Sequence, residues 1–457
     1  VSQKDKYLKI LVQDLGYTVA LVEEEKDPLK VPQDGDAVRR SIARIVTPGT
    51  LIDSSWLSGS ESRYLLSVAL PEDGRKLDDD DVAATPLCLA YADVSTGNFF
   101  TKAATSAEIE DELARIAPRE VVLDARLRDA WAESDTASMA ASPSGKLFAL
   151  LRVLGVHVSF ASIVDEAAPS PPLKRTSKDK TVCTRPSLTT NLERDAIALV
   201  RRHLEYALRD SLPTLPTEFN RESSVRQMHI DAATLQALEI RTAFRPGGLV
   251  STGPAALSAK GTLLSTLSRT TTDAGARLLR RTLSSPSTHL PTINARLALV
   301  AAFAEREHLR ADIRDALRPL ADVARVLQRF RARSGEGADV WAVARWVRDV
   351  QRITEHVRAV IAAEPRVKEK GEQPEGVDRL VQLVDAFAPL NHLADGIEAA
   401  IDEASVNRLA AEDDEDGSLA AGDAMLEAKP KGKKAAVEAQ LRKKEEAERQ
   451  RWWIKPR

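Results

Sequence analysis

The sequence predicts a multidomain chain that is α+β in its first half and all-α in its second. Length is the first reason: 457 residues exceed one compact domain and, at roughly 100–200 residues per domain, suggest about three units. The second is a change of pattern. Short β-prone runs bounded by turn residues recur up to about residue 222, and beyond it apolar residues take up helical spacing. The third is composition, since 4% aromatics beside 43% hydrophobic residues suits Ala/Leu-rich helix packing. No run reaches about 18 apolar residues, which removes transmembrane readings. The net charge of −3 confines any nucleic-acid surface to a local patch.

In chain order, Lys6 to Leu15 reads as a helix ended by Gly16, and Tyr17 to Val22 as a strand. Ser41 to Val46 is a second strand. It runs into Thr47-Pro48-Gly49-Thr50, a turn whose proline fixes φ and whose glycine permits positive φ. Two strands and one helix make half a domain. Tyr64 to Leu70, Leu87 to Asp93 and Asn98 to Thr101 read as strands, a helix near Ala107 to Ile116 stops at Pro118, and Val121 to Leu123 resumes β structure. Asp78 to Asp81 suits a solvated hairpin loop, and the Pro/Ser/Lys-rich stretch from Asp165 to Thr190 an exposed loop before a helix over Leu192 to Leu208.

After about Ser223 the spacing is helical. It joins Ile293, Leu297, Val300 and Ala304, then Ile313, Leu317 and Leu320, then Val323, Leu327 and Phe330. Val343, Val347, Val350 and Ile353 follow, and a last helix carries Leu380, Val384, Phe387, Leu390, Ile397 and Ile401. Helices with one apolar stripe must pack on one another, so residues 223 to 404 are expected to be all-helical with Leu278, Leu279, Leu297, Val300, Leu327 and Ile397 inward. Beyond Ala404 the apolar pattern ends. Residues 412 to 416 are all acidic, and Lys429 to Arg457 hold eleven basic and four acidic residues, a local charge of +7 that could attract phosphate weakly.

Two cysteines, Cys88 and Cys183, cannot build a disulfide framework or a four-thiolate site, and seven scattered histidines lack metal-ligand spacing. A phosphate-cradling loop needs Gly, four residues, then Gly-Lys-Ser/Thr. Gly145-Lys146 is followed by Leu147, and Gly432-Lys433 by Lys434, so neither makes an ATP site. Asp93 closing a strand suggests an aspartic protease or a two-metal nuclease only superficially, because the further carboxylates those chemistries require are not assignable. Catalytic, metal and cofactor residues are therefore expected to be none.

The order of segments points further. Tyr17 to Glu24 and then Arg40-Ser41-Ile42-Ala43-Arg44-Ile45-Val46-Thr47-Pro48-Gly49-Thr50 resemble the end of the mismatch-recognition domain of the MutS family of DNA mismatch repair proteins. Leu89 to Gly97 is similar to the paired strands opening the MutS connector domain, and Leu113 to Glu120 to its first helix. Met228 to Ile240 resembles the segment leading into the MutS core. Leu263 to Arg281 and Asp322 to Leu327 follow at family spacing. The resemblance covers about residues 5 to 404.

It implies a partial mixed α/β mismatch-recognition domain over residues 1–56, an RNase-H-like connector domain over 62–222 and a helical core or lever domain over 223–404. Residues 405–457 would be a charged low-complexity insertion leading into a clamp. The implied function is that of the central portion of a mismatch recognition protein, connecting mispair binding to an ATPase domain. The Phe-x-Glu wedge is expected before residue 1 and the ATPase domain after residue 457. Family members bind mismatched double-stranded DNA, dimerise with themselves or another MutS homologue and recruit a MutL-type partner, which are the partners the resemblance implies; they also use ATP and magnesium, neither of which this chain is expected to hold itself. Arg40 is expected near the DNA backbone, a role that suits a guanidinium. The Trp452-Trp453-Ile454-Lys455-Pro456 stretch resembles fungal mitochondrial homologues and implies a mitochondrial location, with the nucleus as the alternative. A helical interaction scaffold with no DNA role is the competing reading.

Overall fold

The computed structural model describes residues 7–24, 40–52, 59–71, 85–133, 143–163, 188–209, 220–222, 226–244, 257–258, 261–332, 335–363 and 375–403. The Asp78 to Asp81 loop, Cys183, most of the Asp165 to Thr190 loop and the charged segment after residue 403 lie outside them. Two compact units emerge, one of residues 3–293 with 327–333, the other built from 294–326 and the described residues after 334.

In the first unit the opening helix is irregular: Ile10–Asp14 is π-helical, and Gly16 ends it at φ +68°. β1 (Val19–Glu24) and β2 (Arg40–Val46) form an antiparallel pair with a register shift between Leu21 and Val22. Leu8, Val12, Val46 and Leu51 bury a small core beneath it.

A six-stranded mixed sheet follows. It contains β3 (Tyr64–Ala69), β4 (Pro86–Asp93), β5 (Asn98–Thr105), β6 (Glu120–Asp124), β7 (His157–Ala161) and β8 (Asn220–Arg221), in the order β7-β6-β3-β4-β5-β8. β3, β4 and β5 are antiparallel neighbours, while β6 runs parallel to β3 and β7 parallel to β6. Helices cover both faces, so the central strands are apolar throughout rather than alternating. Successive residues of β3 divide between the faces. Leu65 joins Ala90, Val122, Leu199 and Leu204 on the side of the long helix Leu188–Leu208. Leu66 joins Leu89, Tyr91, Leu113, Val121 and Phe148 on the side of helices Ile109–Ile116 and Pro143–Leu154. These helices are α1 (Ile109–Ile116), α2 (Arg128–Glu133), α3 (Pro143–Leu154) and α4 (Leu188–Leu208).

Residues 226–293 belong to the same unit. They form α5 (Ala232–Ala237), the two-residue strands β9 (Ala243–Phe244) and β10 (Leu257–Ser258), α6 (Leu263–Leu267) and α7 (Asp273–Ser284), then the start of α8 (Leu290–Glu305). The antiparallel β9–β10 pair corrects the expectation that strands end near Ser223. Two-residue strands are too short to leave a period-2 signal.

The second unit is helical, with most of α8, then α9 (Glu307–Leu317), the start of α10 (Val323–Arg331), α11 (Gly337–Ala363), α12 (Glu375–Asp385) and α13 (Asn391–Ala400). Leu309, Val357, Leu380 and Val384 form one core with Leu299, Phe303 and Ile353 against them. Ala344, Val347 and Ala394 form another with Trp346 and Ile397.

Here the expected core residues need correction. Leu278, Leu297, Val300 and Leu327 are exposed, at 56%, 60%, 65% and 45%, and only Leu279 and Ile397 are partly buried. α8 explains two of the four. Its sequence is apolar on every side, so two stripes satisfy helical spacing, and the one carrying Leu299, Ala302 and Phe303 takes the core. In α7 the buried position next to Leu278 belongs to Arg277, whose guanidinium reaches the Gly59 carbonyl at 2.8 Å. In α10 it belongs to Val326 and to Gln328. Patterning places such polar side chains outward, so the stripe was assigned one position off.

Candidate functional site

Two buried charge clusters sit where the sheet meets the segments before and after it. The first centres on Glu120, the opening residue of β6 and fully buried. Its Oε2 accepts from the Thr47 hydroxyl and from the Gly49 N–H at 2.9 Å. Its Oε1 accepts from the Ser159 hydroxyl of β7 at 2.6 Å and lies 2.9 Å from Nε2 of His203 on α4. A carboxylate offers about four lone-pair sites; three hydrogen bonds reach this one, and the His203 nitrogen stands near it without hydrogen-bond geometry. Burial alone would raise the acid's pKa. The neighbouring His203, then the bonds from Ser159 and Thr47, bring it down instead to about 2.

The turn held by Glu120 is tied internally as well. Thr50 N–H donates to the Thr47 carbonyl at 3.1 Å, and Thr47 N–H to the Thr50 hydroxyl at 3.0 Å. Gly49 is not among the positive-φ residues, contrary to the expected reason for a glycine there. Space is the reason: a Cβ at Gly49 would lie 2.8 Å from both Cβ and Oε2 of Glu120.

The second cluster joins the other end of the sheet to the segment leading into the helices. Lys102 of β5 pairs with Glu112 of α1 at 2.5 Å, and Arg115 pairs with Glu112 at 2.7 Å and with Glu222 at 2.8 Å. Two cations thus meet two anions, the condition under which buried charge is tolerated. Burial opposes the Arg115 charge, but Tyr91, Glu112 and Glu222 favour it more strongly and hold it protonated. Arg115 also donates to the Ser285 hydroxyl at 3.0 Å, just beyond α7.

α1 is bound at both ends by the following segment. Near its start, Asp111 accepts from the Ala232 N–H at 2.8 Å, an orphan donor in the first turn of α5, and lies 3.1 Å from Nε2 of His229. At its end, Arg241 donates to the Ala114 carbonyl and, at 2.8 Å, to the Arg115 carbonyl. A cation there complements the helix dipole. Burial lowers the Arg241 pKa, and the charges of Arg280 and Arg115 lower it further, to about 10.

Arg40, the one site residue expected from the sequence, opens β2, is exposed, and stands opposite Glu24 in the strand register. It belongs to neither cluster. β2 nevertheless leads directly into the turn held by Glu120. Asp93 is 1% exposed and accepts from the Ser95 N–H and hydroxyl, a turn-closing role. Among the described residues no group of His, Cys, Asp or Glu is placed to hold a metal ion. No described helix is long and apolar enough to cross a membrane. Glu120, His203, Glu112, Arg115 and Arg241 were not singled out by sequence. A carboxylate opening the apolar run Val121 to Leu123 was the available signal.

A mixed sheet tied to its flanking segments by buried charge, with helices after it in the chain, defines a multidomain α+β protein. Comparison with known proteins specifies which. The family models MutS domain I, MutS domain II and MutS domain III match residues 1–55, 64–141 and 233–451 in that order. A DNA mismatch repair protein MutS from Cereibacter sphaeroides is 31% identical over 423 residues, which cover 88% of this chain and 42% of that relative. The MutS of Paracoccus denitrificans is 30% identical over 355 residues, 75% of the chain and 34% of the relative, and that of Rickettsia bellii 29% over 354, 74% and 34%. The chain belongs to the MutS family of DNA mismatch repair proteins. It spans about two fifths of the length of the first of these curated relatives.

Proposed function

We propose that this chain is the middle of a mismatch recognition machine and transmits the state of a mispair-bound domain toward an ATPase domain. The observation that carries the reading is the sheet fastened at one end to the β2 turn through Glu120 and at the other to the helix-leading segment through Arg115 and Arg241. Transmission over distance requires rigid elements that move as bodies, and buried hydrogen-bonded joints supply them. In this proposal residues 1–56 close the mismatch-recognition domain, 62–222 are the connector, 223–404 the core or lever, and 405–457 a charged insertion before a clamp. The antiparallel β5-β4-β3 order followed by parallel β6 and β7 supports the RNase-H-like reading of the connector. Mismatched duplex DNA, a dimer partner of the same family, a MutL-type protein, and ATP with magnesium belong to the intact assembly in this proposal. So does a mitochondrial location, with the nucleus as the alternative, which cell fractionation decides.

The test uses the full-length protein containing this chain, titrated with mispaired and paired duplexes. Mispair preference is expected. Arg40→Ala should weaken binding and lower the salt slope by about one. An unchanged slope removes Arg40 from the DNA surface, and equal affinity for both duplexes favours an interaction scaffold without a DNA role.

A further inference from the structure

We infer that Glu120 is a positioning residue that carries displacements of strand β2 into the connector sheet, one carboxylate oxygen gripping the turn and the other gripping the sheet and its long helix. The inference rests on the proposed coupling role, because such a joint matters only if its two sides must move together.

The division of labour between the oxygens is the core observation. Oε2 accepts from Thr47 and Gly49, both on the turn, while Oε1 accepts from Ser159 of β7 and lies 2.9 Å from Nε2 of His203 on α4. The turn follows β2 without an intervening residue, and its internal bonds, the two backbone-donated ones and the 2.8 Å contact between the Thr47 and Thr50 hydroxyls among them, make it move as one piece. Glu120, His203, Thr47 and Thr50 are 0%, 3%, 2% and 2% exposed, so water does not compete for these bonds. A buried donor that loses its acceptor has no substitute, which makes the joint either intact or broken rather than gradually extensible. The missing Cβ at Gly49 seats the backbone directly on the carboxylate and removes slack. On the far side, α4 packs along β3 and β4 through Leu199, Val200 and Leu204, so a shift passed to His203 reaches the centre of the sheet.

The test measures transmission without DNA, on the 457-residue chain, by amide hydrogen exchange. Thr47→Val removes the turn's hydroxyl bond to Oε2 and touches nothing on α4 directly. It is expected to speed exchange about fivefold at the amides of α4 around His203, a coupling of about 1 kcal/mol. In a Glu120→Gln background the same Thr47→Val change should move α4 less, because the side chain then keeps a single accepting oxygen for the two sides. Should Glu120→Gln fold poorly, Ser159→Ala reads the joint in reverse and is expected to speed exchange at Gly49 and Thr50. The inference is overturned if Thr47→Val leaves α4 unchanged in the unaltered chain, if it acts equally in both backgrounds, or if Ser159→Ala leaves the turn untouched. Failure of the mismatch-repair reading would show instead as loss of mispair preference in the full-length protein, whatever the exchange result.

Discussion

Glu120 is a buried acid whose protonation state folding stability must follow. Its carboxyl is held at about 2 in the folded chain, below its ordinary value of 4.5, by His203, Ser159 and Thr47 around it. A depressed folded pKa contributes stability that is fully present above the unfolded value and is lost as pH falls through the folded one. The chain should therefore lose roughly 3 kcal/mol from this group between about pH 5 and pH 2, and Glu120→Gln should flatten that part of the profile in urea titrations at stepped pH. An equal acid dependence in both proteins would show that Glu120 is not the acid responsible. At neutral pH, Glu120→Ala strands the three donors of Thr47, Gly49 and Ser159 and should cost about 3–5 kcal/mol. Little of this was legible beforehand. Sequence placed Glu120 next to a strand, but its donors come from residues 73 and 39 positions away, beyond any local pattern.

At the scale of elements, two contacts lend themselves to measurement. Arg241 caps the last turn of α1, and Arg241→Met would keep its aliphatic bulk while losing both bonds. A loss of about 1–3 kcal/mol is expected, with faster exchange concentrated in the last turn of α1. Gly376 in α12 marks a close approach to α8, where a Cβ would lie 2.1 Å from the Ala298 carbonyl oxygen. Gly376→Ala should therefore destabilise the helical unit by about 1–3 kcal/mol, although alanine is the better helix former. A stabilised variant in thermal melts would contradict the packing. Long regular elements were readable because burial imposes periodicity. β4 and α1 fall within two residues of the expected bounds, Leu87 to Asp93 and Ala107 to Ile116. β7 and α3 went unread, and α8 was read on the wrong face because an all-round apolar helix carries no directional signal.

For the whole molecule, the order of the three MutS segments was visible in sequence because a long series of weak local matches in register is specific even when each alone is not. The 457-residue chain should release no phosphate from ATP above a blank and should not prefer mispaired over paired duplexes. Residual binding through Lys429 to Arg457, where the charge is +7, should fall steeply between about 50 and 200 mM salt in gel-shift titrations. Phosphate release or a mispair preference would mean that the functional groups lie elsewhere in the chain. The long sequence separations around Glu120 also bear on how quickly the molecule assembles. Thr47 and Ser159 must be brought to one carboxylate across 73 and 39 residues, and closing such loops carries an entropic cost before any bond is made. The turn should dock after the sheet has formed. In stopped-flow chevrons Thr47→Val should then leave the refolding rate nearly unchanged and appear almost wholly as faster unfolding.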